Sequence, residues 1–287
     1  MKESFDVLNN INELEIKEIV NRLGDEKLTS TGHGYMDVGA ISIIDASNQS
    51  TKNYTKDSVE KPAMALLSVV LAANRNYNKV VEPNLIKIIK GYPNLKTLNQ
   101  LSEIIESKTE QEFFEFWGHK DRKKYSTLQR LLSTINKDLR ELYPKSINDF
   151  ELMKNWGDNV DLINYEEDII GRIPNIGVAT IQHLRMVYGV DTVKPDQRVK
   201  EVLDYEFGLS RLSDKKVIKA IEQIARIVQK DVITIDQIFV KYGSSHYNRN
   251  LNKLTVKQIA KNLKDYKVEI DIISKATFLS KKQIERL

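Results

Sequence analysis

The chain has 287 residues, 41% of them apolar and 29% charged, enough to bury one large core or two smaller ones and too apolar for a disordered chain. It contains no cysteine, which excludes a disulfide framework, a cysteine zinc site and an iron–sulfur cluster, and no apolar run approaches the ~18 residues a membrane span needs. The net charge is only +4, but residues 241–287 hold 11 Lys and Arg against 4 Asp and Glu while the first 240 hold 33 against 36. A basic end on a near-neutral body fits a polyanionic partner, and fits a solvated lysine-rich helical surface equally well.

Helical periodicity dominates the pattern. Residues 8–23 place Leu8, Ile11, Leu14, Ile16, Ile19, Val20 and Leu23 on one face of an amphipathic helix. This acidic start is unlike a signal peptide, so a cytoplasmic protein is expected. The Gly-, Ser-, Thr- and Asn-rich stretch that follows, to Ser58, reads mostly as loop, with a short strand conceivable only at Ala40–Ile44. His33 in its "TGHGYMD" segment either reaches a site or decorates a turn.

Pro62 opens the next helix, apolar nearly all round from Met64 to Ala73 and therefore buried; it ends abruptly at polar Asn74. A further helix stops at Gly91, before Pro93. "LNQLSEIIES", "EQEFFEFW" and "KKYSTLQRLLSTINKDLREL" read as three more, the last broken by Pro144. Helices are also expected to end near Arg172 and to cover 180–188, 213–229 and 232–242. Residues 254–287 form an appendage of two short amphipathic helices, in which "TFLSKKQIERL" resembles the turn and second helix of a helix-turn-helix. The expected fold is mainly α, an array of helices joined by short turns.

Two turns in residues 173–199 carry the functional reading. In Ile173-Pro174-Asn175-Ile176-Gly177, Asn175 tolerates left-handed dihedrals and Gly177 permits a conformation or a close approach that a Cβ would obstruct. The backbone amides from Ile176 to Ala179 would then lie unpaired at a helix N-terminus, a ready phosphate site, although a plain helix–helix corner explains the turn as well. After Gly189, Pro195 holds Lys194 out of the helical region and places Asp196 in the first turn of a helix through Val199, Val202 and Leu203. A carboxylate there can simply cap the helix. Capping alone leaves the upstream hairpin unexplained.

Together these elements resemble the helix-hairpin-helix (HhH-GPD) DNA glycosylase superfamily. Its Leu-Pro-Gly-Val/Ile-Gly hairpin, followed by Thr-Ala, is matched by residues 173–177 and by Thr180-Ile181, with Asn175 in place of the first Gly. Its loop ending in a catalytic aspartate is matched by Val193-Lys194-Pro195-Asp196. "ALLSVVLAANRNYNKVVEPNLIKII" is similar to the family helix whose polar end reaches DNA, with Asn74 where a Gln fills the gap left by a flipped base. "FWGHKDRKKYSTLQRL" and "DQIFVKYGSSHY" are weaker matches, and the likeness spans residues ~60–247.

The resemblance implies a two-lobed HhH-GPD fold with a small C-terminal helical appendage. Residues 1–60 would pack on a core at 61–247, with the hairpin at 173–181 and the catalytic loop at 190–198, and 248–287 would be the basic tail. It implies a monofunctional glycosylase, with Asp196 stabilising an oxocarbenium-like sugar and activating water. Ala179 stands where bifunctional members carry a Schiff-base lysine, so strand cleavage is not expected, and the cluster cysteines are absent. A lyase acting through some other lysine stays open.

DNA contacts would come from Asn74, Lys120, Asn175, Ile176, Gly177, Val178, Ala179, Thr180 and Lys194. Tyr77, Trp117, Tyr242 and His246 are candidates for the pocket of the flipped base. No cofactor is expected, the hairpin carbonyls being a candidate seat for an alkali cation. The partner would be duplex DNA bound by a monomer. The alternative is a non-catalytic DNA-binding protein with Asp196 as a helix cap.

Overall fold

The computed structural model describes residues 7–8, 11–28, 41–75, 77–247, 259–261, 263–265, 267–277 and 281–285. The chain divides into two compact units, Met1–Gly243 and Ser244–Leu287. The first unit thus takes in residues 7–60 as well as the expected core, and its boundary falls a few residues before 247. Among the described residues the structure is mainly α-helical, its only β pairing being an isolated bridge between Lys27 and Ser42.

The first unit begins with α1 (Glu13–Asp25), α2 (Ile43–Asn53), α3 (Lys56–Glu60) and α4 (Pro62–Ala72). A π-turn at Tyr77–Val81 leads into α5 (Glu82–Gly91), followed by α6 (Leu98–Ser107), α7 (Glu110–Trp117) and α8 (Arg122–Thr134). After a second π-turn, Ile135–Leu139, come α9 (Arg140–Leu142), α10 (Asp149–Asn159), α11 (Val178–Val187), α12 (Gln197–Phe207), α13 (Asp214–Val228) and α14 (Val232–His246). Most start on a side-chain cap: Asn12 accepts from the Glu15 amide, Ser42 from Asp45, Asn148 from Glu151 and Ser213 from Lys216. Thr97 with Gln100 and Thr109 with Glu112 form capping boxes that satisfy two amides each.

Two expectations change. The stretch read as loop with a strand at Ala40–Ile44 contains α2, because Ser42 caps it and Ile43 and Ala46 are buried on its inner face. Burial of that face outweighs a polar composition that predicts a loop. The helix expected to end near Arg172 is absent. Asp161–Asn175 run as successive turns, in which the Asp168 carboxylate accepts from the Ile170 and Gly171 amides and from Trp156 Nε1. That carboxylate takes amides a helix would have used, an instance of side-chain bonding displacing the helical ladder.

The core is centred on α4. Ala63, Leu66, Leu67, Val69 and Leu71 are almost inaccessible to solvent, as the all-round apolar sequence predicts. Each such aliphatic side chain contributes about 1.5–3 kcal/mol on burial. α4 packs against α5, α6, α8 and α11, while α11 also meets α10 and α13, and α1 packs on α2, α12 and α13. Hairpin residues Ile173 and Ile176 belong to the α4 core.

The second unit contains α15 (Ile270–Thr277) and α16 (Lys281–Glu285), packed through Ala260, Ile273 and Ile284. The turn of the helix-turn-helix reading, residues 278–280, and most of "TVKQIAKNL" lie outside the described residues.

Candidate active site

The hairpin is held from below. Asn175 adopts φ 70°, Thr127 Oγ1 donates to the Pro174 carbonyl (3.1 Å), and Asn175 Nδ2 donates to Thr127 Oγ1 (3.2 Å), so α8 pins the turn. Gly171 is required just upstream, because a Cβ there would collide with the carbonyl oxygen of Tyr165. Of the two roles expected of Gly177, a special backbone conformation is not the one it plays. It is extended (φ −121°, ψ 178°), and a Cβ would meet nothing within 4 Å, so the protein itself does not require glycine there. What the missing side chain leaves open is the approach from outside.

The Ile176 amide donates to Ile173 O (3.1 Å), which removes it from the expected free set. Gly177 caps α11 without a side chain, and the amides of Gly177, Val178 and Ala179 have no acceptor among the described residues. Three donors therefore point outward at the positive end of a ten-residue helix. The carbonyls of Ile173, Pro174 and Gly177 accept hydrogen bonds from protein donors, and those of Asn175 and Ile176 have none among the described residues.

Beside the hairpin lies a cavity of about 160 Å³ lined by Asn74, Arg75, Lys124, Thr127, Asn175 and Thr180, among others. Lys124 Nζ donates to the carbonyls of Val70, Leu71 and Ala73 (2.8, 2.9 and 2.5 Å) and so closes the C-terminus of α4. Burial pushes its ammonium down to about 8, helped by Arg75. Asn74 follows in the left-handed region (φ 56°) with its side chain exposed. Arg75 is engaged by His119 and Asp121. Lys120 is exposed and lines neither this cavity nor the larger one.

The larger cavity, about 490 Å³, contains Asp196. Its walls are Met64, Ala65 and Ser68 of α4, His183, Met186 and Val187 of α11, and Asp236, Gln237 and Val240 of α14, with Tyr54, Tyr77 and Lys194. Asp196 is the N-cap of α12: Oδ1 accepts from the Arg198 amide (2.8 Å) and the Val199 amide (3.2 Å). Oδ2 has no partner among the described residues.

The loop that delivers Asp196 is fixed along its length. Gln182 Nε2 donates to Thr192 Oγ1 (2.7 Å) and Val193 O (3.1 Å), and Arg185 donates to Gln182 Oε1 (2.6 Å). Asp191 caps α14 through the Val232 and Ile233 amides, while the Lys194 amide donates to Asp236 Oδ1 (3.3 Å).

The electrostatics of the cavity are set by burial. Asp236 is 2% exposed, and burial with the neighbouring Asp196 pushes its carboxyl up to about 7. Tyr54 is held protonated far above the usual phenol range by burial, then by Asp236, Tyr77 and Asp196. Burial also raises Tyr77, against a lowering contribution from Ser68. His183 is pushed well down by burial and by Lys194, so its imidazole is neutral. Among the described residues its ring has no hydrogen-bond partner.

Of the four expected base-pocket residues, Tyr77 lines this cavity. Trp117 does not: it is fully buried, packs on Phe113 with ring centroids 5.0 Å apart, and gives its N–H to the His119 carbonyl. Tyr242 faces away as well, toward Arg22 and Glu206. Both are large aromatics drawn into packing, the commoner fate of such side chains. His246 falls in the second unit, and His33 lies outside the described residues. Sequence reasoning missed Tyr54, His183 and Asp236. Asp236 carried a weak signal, the one charged residue in the largely apolar stretch Val232–Val240, whereas Tyr54 sat in a polar segment with none.

Comparisons with protein-family models, with curated proteins and with solved structures returned no match. Among the described residues no helix is long and apolar enough to cross a membrane.

Proposed function

We propose that this protein is a monofunctional DNA glycosylase that hydrolyses the N-glycosidic bond of a damaged, mismatched or modified base flipped from duplex DNA. The observation that carries the reading is Asp196: one carboxylate oxygen is spent on the α12 amides and the other is left free in a cavity of about 490 Å³ walled by Tyr54, Tyr77 and His183. That volume lies in the range of small-molecule sites, and aromatic walls suit an extruded base. The open N-terminus of α11 begins three residues before Thr180, which lines the smaller cavity, and α4 and α11 contribute to both cavities. On this reading the helices form the two-lobed HhH-GPD arrangement and the protein acts as a monomer.

The hairpin amides bind a backbone phosphate, Asn74 occupies the space the base vacates, and Lys194 adds positive charge beside the sugar. As the C1′–N bond lengthens, Oδ2 of Asp196 stabilises positive charge on the sugar and takes a proton from the attacking water. Ala179 supplies no amine, so no Schiff base forms at that position.

The test is incubation with duplexes each bearing one alkylated purine, uracil or thymine mispair, oxidised guanine or hypermodified base, with released bases read by mass spectrometry. The expected result is release of at least one base by the wild type and none by Asp196→Asn, at equal DNA affinity. The second reading, a non-catalytic DNA-binding protein, draws on the capping bonds of Asp196 and predicts DNA binding with no base released from any duplex.

A further inference from the structure

Asp236 is the most deeply buried ionisable group in the cavity wall that Asp196 shares. Its Oδ1 accepts the Lys194 amide (3.3 Å) and its Oδ2 accepts Gln237 Nε2 (3.1 Å), while Gln237 Oε1 accepts from Lys241 Nζ (2.9 Å). Around it stand Asp196 and Lys194 from the loop before α12, Tyr54 from the turn between α2 and α3, Gln237 and Lys241 from α14, and His183 from α11 beside Lys194. His183 and Tyr54 are neutral.

Asp57, Glu60 and Lys61 also line the cavity, and with Asp196 partly exposed beside it, a deeply buried Asp236 does not ionise at little cost. Which one keeps the proton follows from their hydrogen bonds. Asp196 accepts two backbone amides at the N-terminus of α12 and is only partly buried. Asp236 accepts one long backbone bond and one from a neutral amide, under deeper burial. The proton therefore resides on Asp236, which holds it up to about pH 7.

We propose that Asp236 is the general acid of the site, protonating the departing base while Asp196 serves the sugar and the water. This rests on the glycosylase reading. In the step, the C1′–N bond breaks with its electron pair going to the base, and the Asp236 proton passes to a ring nitrogen or exocyclic oxygen of that base. Water forms the new C1′–O bond and gives its proton to Asp196, and that proton returns to Asp236 to complete the cycle. Such an acid serves a base that would otherwise leave as an anion. The substrate class is therefore an uncharged base, because a cationic N-alkylated purine departs neutral and gains nothing from protonation.

The experiment measures single-turnover base release by wild type, Asp236→Asn and Gln237→Met between about pH 5 and about pH 9, on the duplex panel. For an uncharged base, the wild-type rate should fall as pH rises through about 7. Asp236→Asn should be slower by ~10²-fold at the acidic end and lose that fall. Gln237→Met removes a hydrogen bond that favours the Asp236 anion, so it should move the fall to higher pH, a readout that stands even if Asp236→Asn fails to fold. Duplexes with a cationic N-alkylated purine should show no loss in Asp236→Asn. The proposal is overturned, and the glycosylase reading kept, if the wild type releases an uncharged base at a pH-independent rate or if neither variant changes the profile. Release of cationic bases alone overturns it too. No release from any duplex by the wild type overturns the reading itself, and the proposal with it.

Discussion

The N-termini of α11 and α12 are successive helix starts in one stretch of chain, and they are finished in opposite ways. α11 starts on Gly177 with no side-chain cap and three amides left outward. α12 starts on Asp196, whose Oδ1 takes the Arg198 and Val199 amides. An unfinished start inside a folded protein costs stability unless solvent or a ligand completes it. The open start can receive an anion, and the closed start carries an anion of its own. On the proposed glycosylase reading, the open start would hold a phosphate and the closed start would face the cationic sugar.

Four changes test this contrast, taken from the largest expected effect. Asp196→Asn keeps an oxygen for the α12 amides, since Asn caps about as well as Asp, but removes the charge. Base release should fall by ~10³-fold or more with thermal stability nearly unchanged, whereas Asp196→Ala should lose activity and a further ~1 kcal/mol of stability. Calorimetry beside the release assay separates the two.

The second change concerns pH and the buried neighbour of the closed start. Asp236 has its folded pKa raised to about 7 from an ordinary 3.8, so the folded state binds more protons than the unfolded state between those values. Its contribution is present below the unfolded pKa and is lost as pH rises toward and through about 7, roughly 4 kcal/mol at most. Urea melts of wild type and Asp236→Asn from pH 4 to pH 8 should show their stability difference shifting in favour of the variant as pH rises. A parallel pair of curves would place the proton elsewhere.

The third change acts on the open start. Val178→Pro deletes one outward amide at a position where proline suits a helix, after a residue already extended at ψ 178°. DNA affinity should drop about 10-fold or more, the worth of one charge-assisted hydrogen bond, with α11 intact by circular dichroism. Unchanged affinity would make the open start a mere corner. The smallest effect is expected from Asn175→Ala, which forces φ 70° on a residue that disfavours it and loses the bond to Thr127. A cost of ~1–2 kcal/mol should lower Tm by a few degrees and loosen the hairpin.

Much of this architecture was legible without coordinates. The all-round apolar helix from Met64 predicts burial, and α4 lies at the centre of the core. Asn12, Thr97, Thr109, Asn148 and Ser213 each stand directly before a helix they cap. Local signals misled where longer-range interactions prevailed. A polar composition hid α2 until its inner face found a partner, and Asp168 drew the chain before the hairpin into turns.

The amino-acid sequence by itself determined the helical class, many helix starts, the tight turn at Asn175 and the place of Asp196 at the head of a helix. These are short-range matters: periodicity, capping chemistry and the dihedral tolerance of Asn and Pro act over a few residues. Only the tertiary structure decided what shares the cavity with Asp196. Tyr54, Tyr77, His183 and Asp236 come from four separate segments and meet only when α4, α11 and α14 surround one space. It likewise decided that Trp117 and Tyr242 are packing residues. Burial and the proximity of a second charge are properties of the assembled fold, and they raise the Asp236 carboxyl far above its ordinary value.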